Sequence, residues 1–174
     1  ARYFYDQLNA PTPEAAVARR YWREKRGLSD AAIRRFGLGY APEDFVGLLH
    51  YLRHRGFTEP ELESSGLVKR SAKGNLYDIF RHRVMVPIIA FGGRVMDDSK
   101  PKYITSPETM VYHKSRTLFA LNVAKKSTSK RYILCEGYMD VISMHEAGFD
   151  TAVCACGTAL TPEQVKLLTE YADE

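Results

Sequence analysis

The sequence predicts an α+β subdomain of helices and antiparallel strands, followed by a partial α/β unit with parallel strands. Three observations predict it. Residues 2–66 carry helical periodicity punctuated by caps and glycine stops, and residues 67–96 turn β-rich around a polar, glycine-containing loop. From Lys130 onward apolar runs alternate with amphipathic ones in the order strand, helix, strand, helix.

Each element has a local reason. Tyr3, Phe4 and Leu8, then Ala15, Ala16, Val17, Tyr21 and Trp22, recur at helical spacing over residues 2–27, interrupted by Pro11 and Pro13. The second half begins with Thr12 as N-cap and Pro13 at the first helical position, and ends at Gly27. Ser29 opens a short helix through Phe36, closed by Gly37. A third helix is expected over 44–55 with Gly56 as its stop, and Thr58 caps a fourth that ends before Gly66. Leu67–Arg70 and Leu76–Phe80 flank Ser71–Asn75 as a hairpin would. Arg83–Phe91 and Gly92–Met96 read as further strands of antiparallel type. The last segment predicts strand 131–136, helix 138–147, strand 151–156 and helix 161–172, with Pro162 after Thr161 setting the final helix start. A βαβα order implies parallel strands and right-handed crossovers. The chain has no internal repeat and no low-complexity tract.

Composition narrows the function classes. A chain of 174 residues with 45% hydrophobic content suits one domain or two small ones with a real core. The opening Ala1–Asp6 lacks an apolar signal region, and no apolar run approaches the roughly 20 residues that span a bilayer, so a cytoplasmic protein with no membrane partner is expected. Cys135, Cys154 and Cys156 all lie in apolar strand-like runs. Cys154-x-Cys156 has no His or Cys partner at zinc-like spacing, so small buried residues of a reduced protein are expected. A net charge of +4 and a pI near 8.9 permit nucleic-acid binding without arguing for it. Distribution says more. Residues 19–35 hold seven cations against Glu24 and Asp30, which suits either a solvated helix face or a polyanion. Residues 81–131 add Arg81, Arg94, Lys102, Lys114 and others beside Tyr103, Tyr112 and Phe119, and cations interleaved with aromatics suit a strand with stackable bases.

The chemistry-bearing stretch is Ile133–Ile142. An apolar run delivers Glu136 to the C-terminal end of a strand, Gly137 turns the chain, and a helix carries Asp140 in its first turn. The crevice beyond strand C-termini is where open α/β sheets bind ligands, and two carboxylates there could begin a hard-metal site. The same spacing equally suits a helix N-terminus with Asp140 as its cap.

Glu136-Gly137-Tyr138-Met139-Asp140-Val141-Ile142, Glu146-Ala147-Gly148-Phe149 and Gly157-Thr158-Ala159-Leu160-Thr161 resemble the Toprim segment of bacterial DnaG-type primases. Upstream, Arg26-Gly27-Leu28-Ser29, Arg35–Pro42, Phe91-Gly92-Gly93-Arg94-Val95, Pro101–Thr109 and His113-Lys114-Ser115-Arg116 resemble blocks of the same family's RNA-polymerase domain, in the family's order. The resemblance implies a basic N-terminal subdomain over 1–122 and a truncated Toprim subdomain over 123–174. It implies RNA-primer synthesis on a single-stranded DNA template from ribonucleoside triphosphates, with Mg²⁺ or Mn²⁺ as cofactor and a replicative helicase as partner through regions outside this chain. Glu136 would be the catalytic carboxylate and a metal ligand, and Asp140 the acid of the following helix. Gly157 and Thr158 would let backbone approach a phosphate. Arg26, Arg81, Arg94, Lys102, Tyr103 and Lys114 would bind template and nucleotide.

Three departures matter. The family's Arg-Phe-Arg reads Ile79-Phe80-Arg81, and its usual Asn after Lys-Tyr-Leu is Thr105. The family's Asp-x-Asp metal ligands would come after helix 161–172, where Asp173-Glu174 are adjacent and on the wrong element, so the fragment alone is expected to be inactive. The family's polar turn is missing between Pro87 and Phe91, so a discontinuous or remodelled backbone is expected there, at Ile88–Ile89. A non-catalytic nucleic-acid-binding module with a degenerate Toprim is the alternative. A topoisomerase or nuclease would leave residues 66–116 without a reason.

Overall fold

Local caps start most of the helices in the computed structural model, which describes residues 1–155, 157 and 159–173. Cys156, Thr158 and Glu174 lie outside the described residues, and with them the expectations placed on Cys154-x-Cys156, on Thr158 and on the Asp173-Glu174 pair. The chain forms two compact units, Ala1–Met110 and Val111–Glu174.

The first unit opens with α1 (Arg2–Leu8) and α2 (Pro13–Arg20), the latter capped by Thr12, whose hydroxyl accepts the Ala15 N–H at 3.2 Å. Instead of running on as an α-helix to Gly27, the backbone widens into a π-helical turn, Tyr21–Lys25, in which the Arg26 N–H donates to the Tyr21 carbonyl. That turn puts Tyr21 and Trp22 side by side in the core. Ser29 caps α3 (Asp30–Arg35) through the Ala32 N–H at 3.1 Å. α4 (Gly47–Arg53) starts later than the expected residue 44. Val46 offers no side-chain cap, and the Asp78 carboxylate, about thirty residues on, accepts the Leu48 and Leu49 N–H groups at 2.7 and 2.9 Å. α5 (Glu59–Ser64) is closed by Glu61, whose carboxylate accepts both the N–H and the hydroxyl of Thr58.

The expected hairpin is present as β2 (Val68–Arg70) paired antiparallel with β3 (Leu76–Asp78). A four-stranded antiparallel sheet follows in the order β1 (Gly39–Ala41), β4 (Arg83–Pro87), β5 (Phe91–Val95), β6 (Tyr103–Thr105). β4 and β5 pair in register through Pro87↔Phe91, leaving only Ile88, Ile89 and Ala90 as the loop. Three trans-linked apolar residues turn the chain between these strands, with the Ile88 N–H on the Ala90 carbonyl at 2.7 Å. On one face of the sheet Phe4, Ala41, Leu48, Phe80 and Met85 form the core, with Phe4 edge-on to both Phe80 and Phe91. Gly39 is needed for close approach, since a Cβ there would sit 2.7 Å from the Phe4 backbone.

The second unit holds β7 (Leu118–Phe119), α6 (Leu121–Ala124), β8 (Ile133–Cys135), α7 (Tyr138–Glu146), β9 (Ala152–Ala155) and α8 (Pro162–Thr169). β8 and β9 are parallel, as a strand–helix–strand order requires, and β7 adds to β9 antiparallel, giving the order β7-β9-β8. The β7 pairing draws residues 111–122 into this unit, so the compact division falls before the expected one at 122/123. Gln164 is nearly inaccessible, and its amide donates to the carbonyls of Lys114 and Thr117, both at 2.8 Å. Among the described residues no helix is long and apolar enough to cross a membrane.

Candidate functional site

Glu136 follows β8 directly, at the C-terminal end of the parallel β8–β9 pair, and it is exposed. It lines an open cleft of about 570 Å³ with Leu134, Cys135, Ala155, Gly157 and Ala159. It makes no ion pair among the described residues, as a carboxylate available to a ligand requires. Asp140 stands at the third position of α7, and its Oδ2 accepts the Gly137 N–H at 3.0 Å. One of its oxygens therefore closes the helix N-terminus, the structural role that its spacing also allowed. Burial, and then the charge of Asp140, push the Cys135 thiol above its usual range. Among the described residues no group of three His, Cys, Asp or Glu side chains could hold a metal ion. Mg²⁺ accepts one or two carboxylates while keeping several waters, so Glu136 fits as a single oxygen ligand and not as a complete site.

In the first unit the sheet register and the π-helical turn gather Arg26, Arg94 and Tyr103 around Tyr21. Arg94 in β5 faces Tyr103 in β6 and donates to its hydroxyl at 3.0 Å. The Arg94 guanidinium lies 5.5 Å from the ring centres of both Tyr103 and Tyr21. Arg26 donates to the Tyr21 hydroxyl through Nε and Nη2 at 2.9 and 2.8 Å. Stacking on aromatic faces holds each guanidinium in place while its charge stays available to an anion. Tyr21 was legible only as a core residue, and nothing in its spacing forecasts the π-helical turn that aims it between two arginines.

Arg81 belongs to a second group. Its guanidinium sits 4.3 Å over the Phe45 ring and 5.5 Å over Tyr77, and it donates to the Asp78 carbonyl. Beside it a cleft of about 500 Å³ opens between Lys69, Tyr77, Thr105 and Pro107, and Gly66 fits against Pro107 with φ +67°, where a Cβ would come within 2.8 Å. Phe45, 60% exposed, was missed by sequence reasoning; a large aromatic in a polar loop was the available signal. Side chains alternate along β6, so Tyr103 and Thr105 share a face and link the two groups. Lys102 is exposed in the bend before β6, where its carbonyl accepts the Val95 N–H at 3.2 Å. Arg83, buried and with its charge disfavoured chiefly by that burial, braces the same bend through the Pro101 carbonyl at 2.9 Å. Lys114 lies in the second unit, at the start of a 3₁₀ turn.

The chain matches the family described as the DNA primase catalytic core, N-terminal domain, over residues 3–125, and a Toprim-like family over residues 133–174. A DNA primase of Clostridium acetobutylicum is 44% identical over 182 residues, covering all of this chain and 30% of that protein. One from Deinococcus radiodurans is 47% identical over 153 residues, covering 82% of this chain and 27% of that protein. The chain thus spans under a third of these relatives. Among solved structures, the RNA polymerase domain of Mycobacterium tuberculosis primase DnaG, in complex with a double-stranded DNA oligomer bearing a 6-nucleotide overhang, superposes with a TM-score of 0.88 at 36% identity, covering 98% of this chain and 56% of that one. A DnaG primase catalytic domain bound to single-stranded DNA gives 0.89 at 37% identity, covering 99% and 58%.

Proposed function

The chain belongs to the DNA primase catalytic-core family, and from that premise we propose that it is a piece of a primase that makes RNA primers on single-stranded DNA by metal-dependent nucleotidyl transfer. The observation that carries the reading is Glu136: an exposed, unpaired carboxylate at the end of a parallel strand, lining an open cleft of about 570 Å³. In such chemistry a 3′-hydroxyl attacks an α-phosphate, pyrophosphate leaves, and divalent metal neutralises the charge that develops. Glu136 would hold one Mg²⁺ or Mn²⁺ and orient it toward the phosphates, while Asp140 fixes the helix start behind it. A single carboxylate cannot organise two metals, so the other ligands would come from primase residues beyond this sequence, and the piece by itself would not polymerise.

The first unit would hold the nucleic acid and the incoming ribonucleoside triphosphate. Arg26 and Arg94 are preset by Tyr21 and Tyr103 to meet phosphates, while Arg81 with exposed Phe45 offers a stacking platform for an unpaired base. Neighbours in complex with single-stranded DNA and with an overhanging duplex support a template role for these groups. Lys102 and Lys114 would add phosphate contacts, and a replicative helicase would be met outside this chain. The cap formed by Asp140 favours one competing reading, a nucleic-acid-binding module whose Toprim has lost catalysis.

Primer synthesis by the complete wild-type protein separates the two, since the second reading expects none, and Glu136→Gln then tests the carboxylate. Primer synthesis with Mg²⁺ or Mn²⁺ should fall by at least about 10²–10³-fold, as for loss of a group acting on developing charge, with DNA binding and melting temperature unchanged. Primer synthesis near the wild-type rate would remove Glu136 from the chemistry.

A further inference from the structure

We infer that the loop from α6 into β8, residues 125–131, is a phosphate-binding surface for duplex nucleic acid, separate from the Glu136 cleft; the inference rests on the nucleic-acid reading above. The loop reads Lys-Lys-Ser-Thr-Ser-Lys-Arg and contains no acid. Lys125, Lys126, Lys130 and Arg131 are all exposed, and the three lysines make no ion pair among the described residues. A solvated charge run is the ordinary explanation of such a stretch, and two features argue against it.

The first is that the loop is pinned. The Ser129 N–H donates to the Ser127 hydroxyl at 3.2 Å and the Arg131 N–H to the Ser129 hydroxyl at 3.3 Å. The Ser127 hydroxyl donates to Asp150 at 2.8 Å, and the Thr151 hydroxyl to the Arg131 carbonyl at 2.7 Å. The cations therefore stand on ordered backbone before any partner arrives, which lowers the entropic cost of binding. The second is that helix-end electrostatics explains only half of them. Lys125 and Lys126 follow the C-terminus of α6, where cations are favoured in any case, but α6 has only four residues, and Lys130 and Arg131 lie in the segment that leads into β8.

The chemistry points to backbone phosphates of a duplex. Lysines act as point charges that accept phosphate without demanding base geometry. The loop has no aromatic side chain on which an unpaired base could stack, unlike the Arg81 and Phe45 platform. It also has no apolar anchor of the kind that holds a protein partner, since Tyr132 packs into the core beside Leu118 and Val153. The loop enters β8 and Glu136 leaves it, so the two sit at opposite ends of the strand. Glu136 follows Lys130 by six residues, a reach of at most roughly 20 Å, or about six base pairs.

The test is K125A/K126A/K130A in the complete primase, titrated between about 50 and 200 mM salt with a roughly 20-base-pair duplex and a single strand of equal length. Duplex affinity should fall at least about tenfold, with a salt slope shallower by about 2.7, three contacts at 0.9 each, while single-strand affinity stays within about twofold. Arg81→Ala is the companion, expected to weaken the single strand. An unchanged duplex slope beside a weakened Arg81→Ala would overturn the loop assignment and leave the proposed function standing; no effect from either variant would remove the nucleic-acid reading itself. Equal loss for both nucleic acids, or competition by poly-glutamate that the duplex fails to match, would overturn the duplex assignment.

Discussion

Replacing Asp78 by Ala should destabilise the first unit by about 2–4 kcal/mol. Its two carboxylate oxygens accept the Leu48 and Leu49 N–H groups at 2.7 and 2.9 Å, and the residue is only 3% exposed, so water does not replace the lost acceptor. Each orphaned N–H costs about 1–3 kcal/mol, or about 2–6 kcal/mol for the pair. Part of that is recovered, because the carboxylate is itself costly to bury: its pKa is pushed up to about 6, by burial first and by the nearby charge of Asp44, against the pull of the two N–H bonds. At roughly 2–4 °C per kcal/mol for a chain of this size, the melting temperature should drop by about 4–16 °C. Trp22, the sole tryptophan and fully buried in the same unit, reports the transition by fluorescence. Asn, which keeps one acceptor, should lose less than Ala. The pH dependence has a definite sign. A carboxyl whose folded pKa lies above its unfolded value of about 3.8 takes up its proton first in the folded state. Its contribution to stability therefore grows as pH falls from about 6 toward 4, and the gap between wild type and Asp78→Ala should widen over that window. A melting temperature within about 2 °C of wild type would refute the capping account, and a gap that narrows below pH 6 would show that the folded pKa is not raised.

Two further outcomes follow from named contacts. Lys102→Ala in the complete primase should weaken DNA binding alike for all sequences and flatten the salt slope by about one unit, as loss of one phosphate contact requires; an unchanged slope would count against a phosphate role. Gln164→Ala removes the amide donor from the buried Thr117 carbonyl and from the part-buried Lys114 carbonyl and should cost the second unit about 1–3 kcal/mol, seen as faster hydrogen exchange of the α8 amides; exchange at wild-type rates would show that the amide is dispensable.

The candidate site was legible where the residue types themselves carry the chemistry. Glu136 could be assigned to a strand end because an apolar run, a glycine and an amphipathic segment follow one another, and Arg94 and Tyr103 stood in recognisable blocks. Tyr21 and Phe45 were not legible as partners of those arginines. Their roles depend on a π-helical turn and on a loop held by the Asp78 N–H, which donates to the Phe45 carbonyl at 2.7 Å. Asp140 carried two readings because a carboxylate at that position satisfies a helix N–H as readily as it meets a metal.

By itself the sequence determined the helix caps at Thr12, Ser29, Thr58 and Thr161, the prolines that begin α2 and α8, the β2–β3 hairpin and the parallel pairing of β8 with β9. Each depends on groups within a few residues or on an alternation that only one connection satisfies. The tertiary structure alone decided that Gly39–Ala41 is a strand, since its partner β4 lies more than forty residues on. It likewise decided that α4 starts where Asp78 reaches it, and that Ile88–Ala90 turns without a polar residue. In those places a backbone group is satisfied by a distant partner, and the free energy that selects the conformation has no local signature.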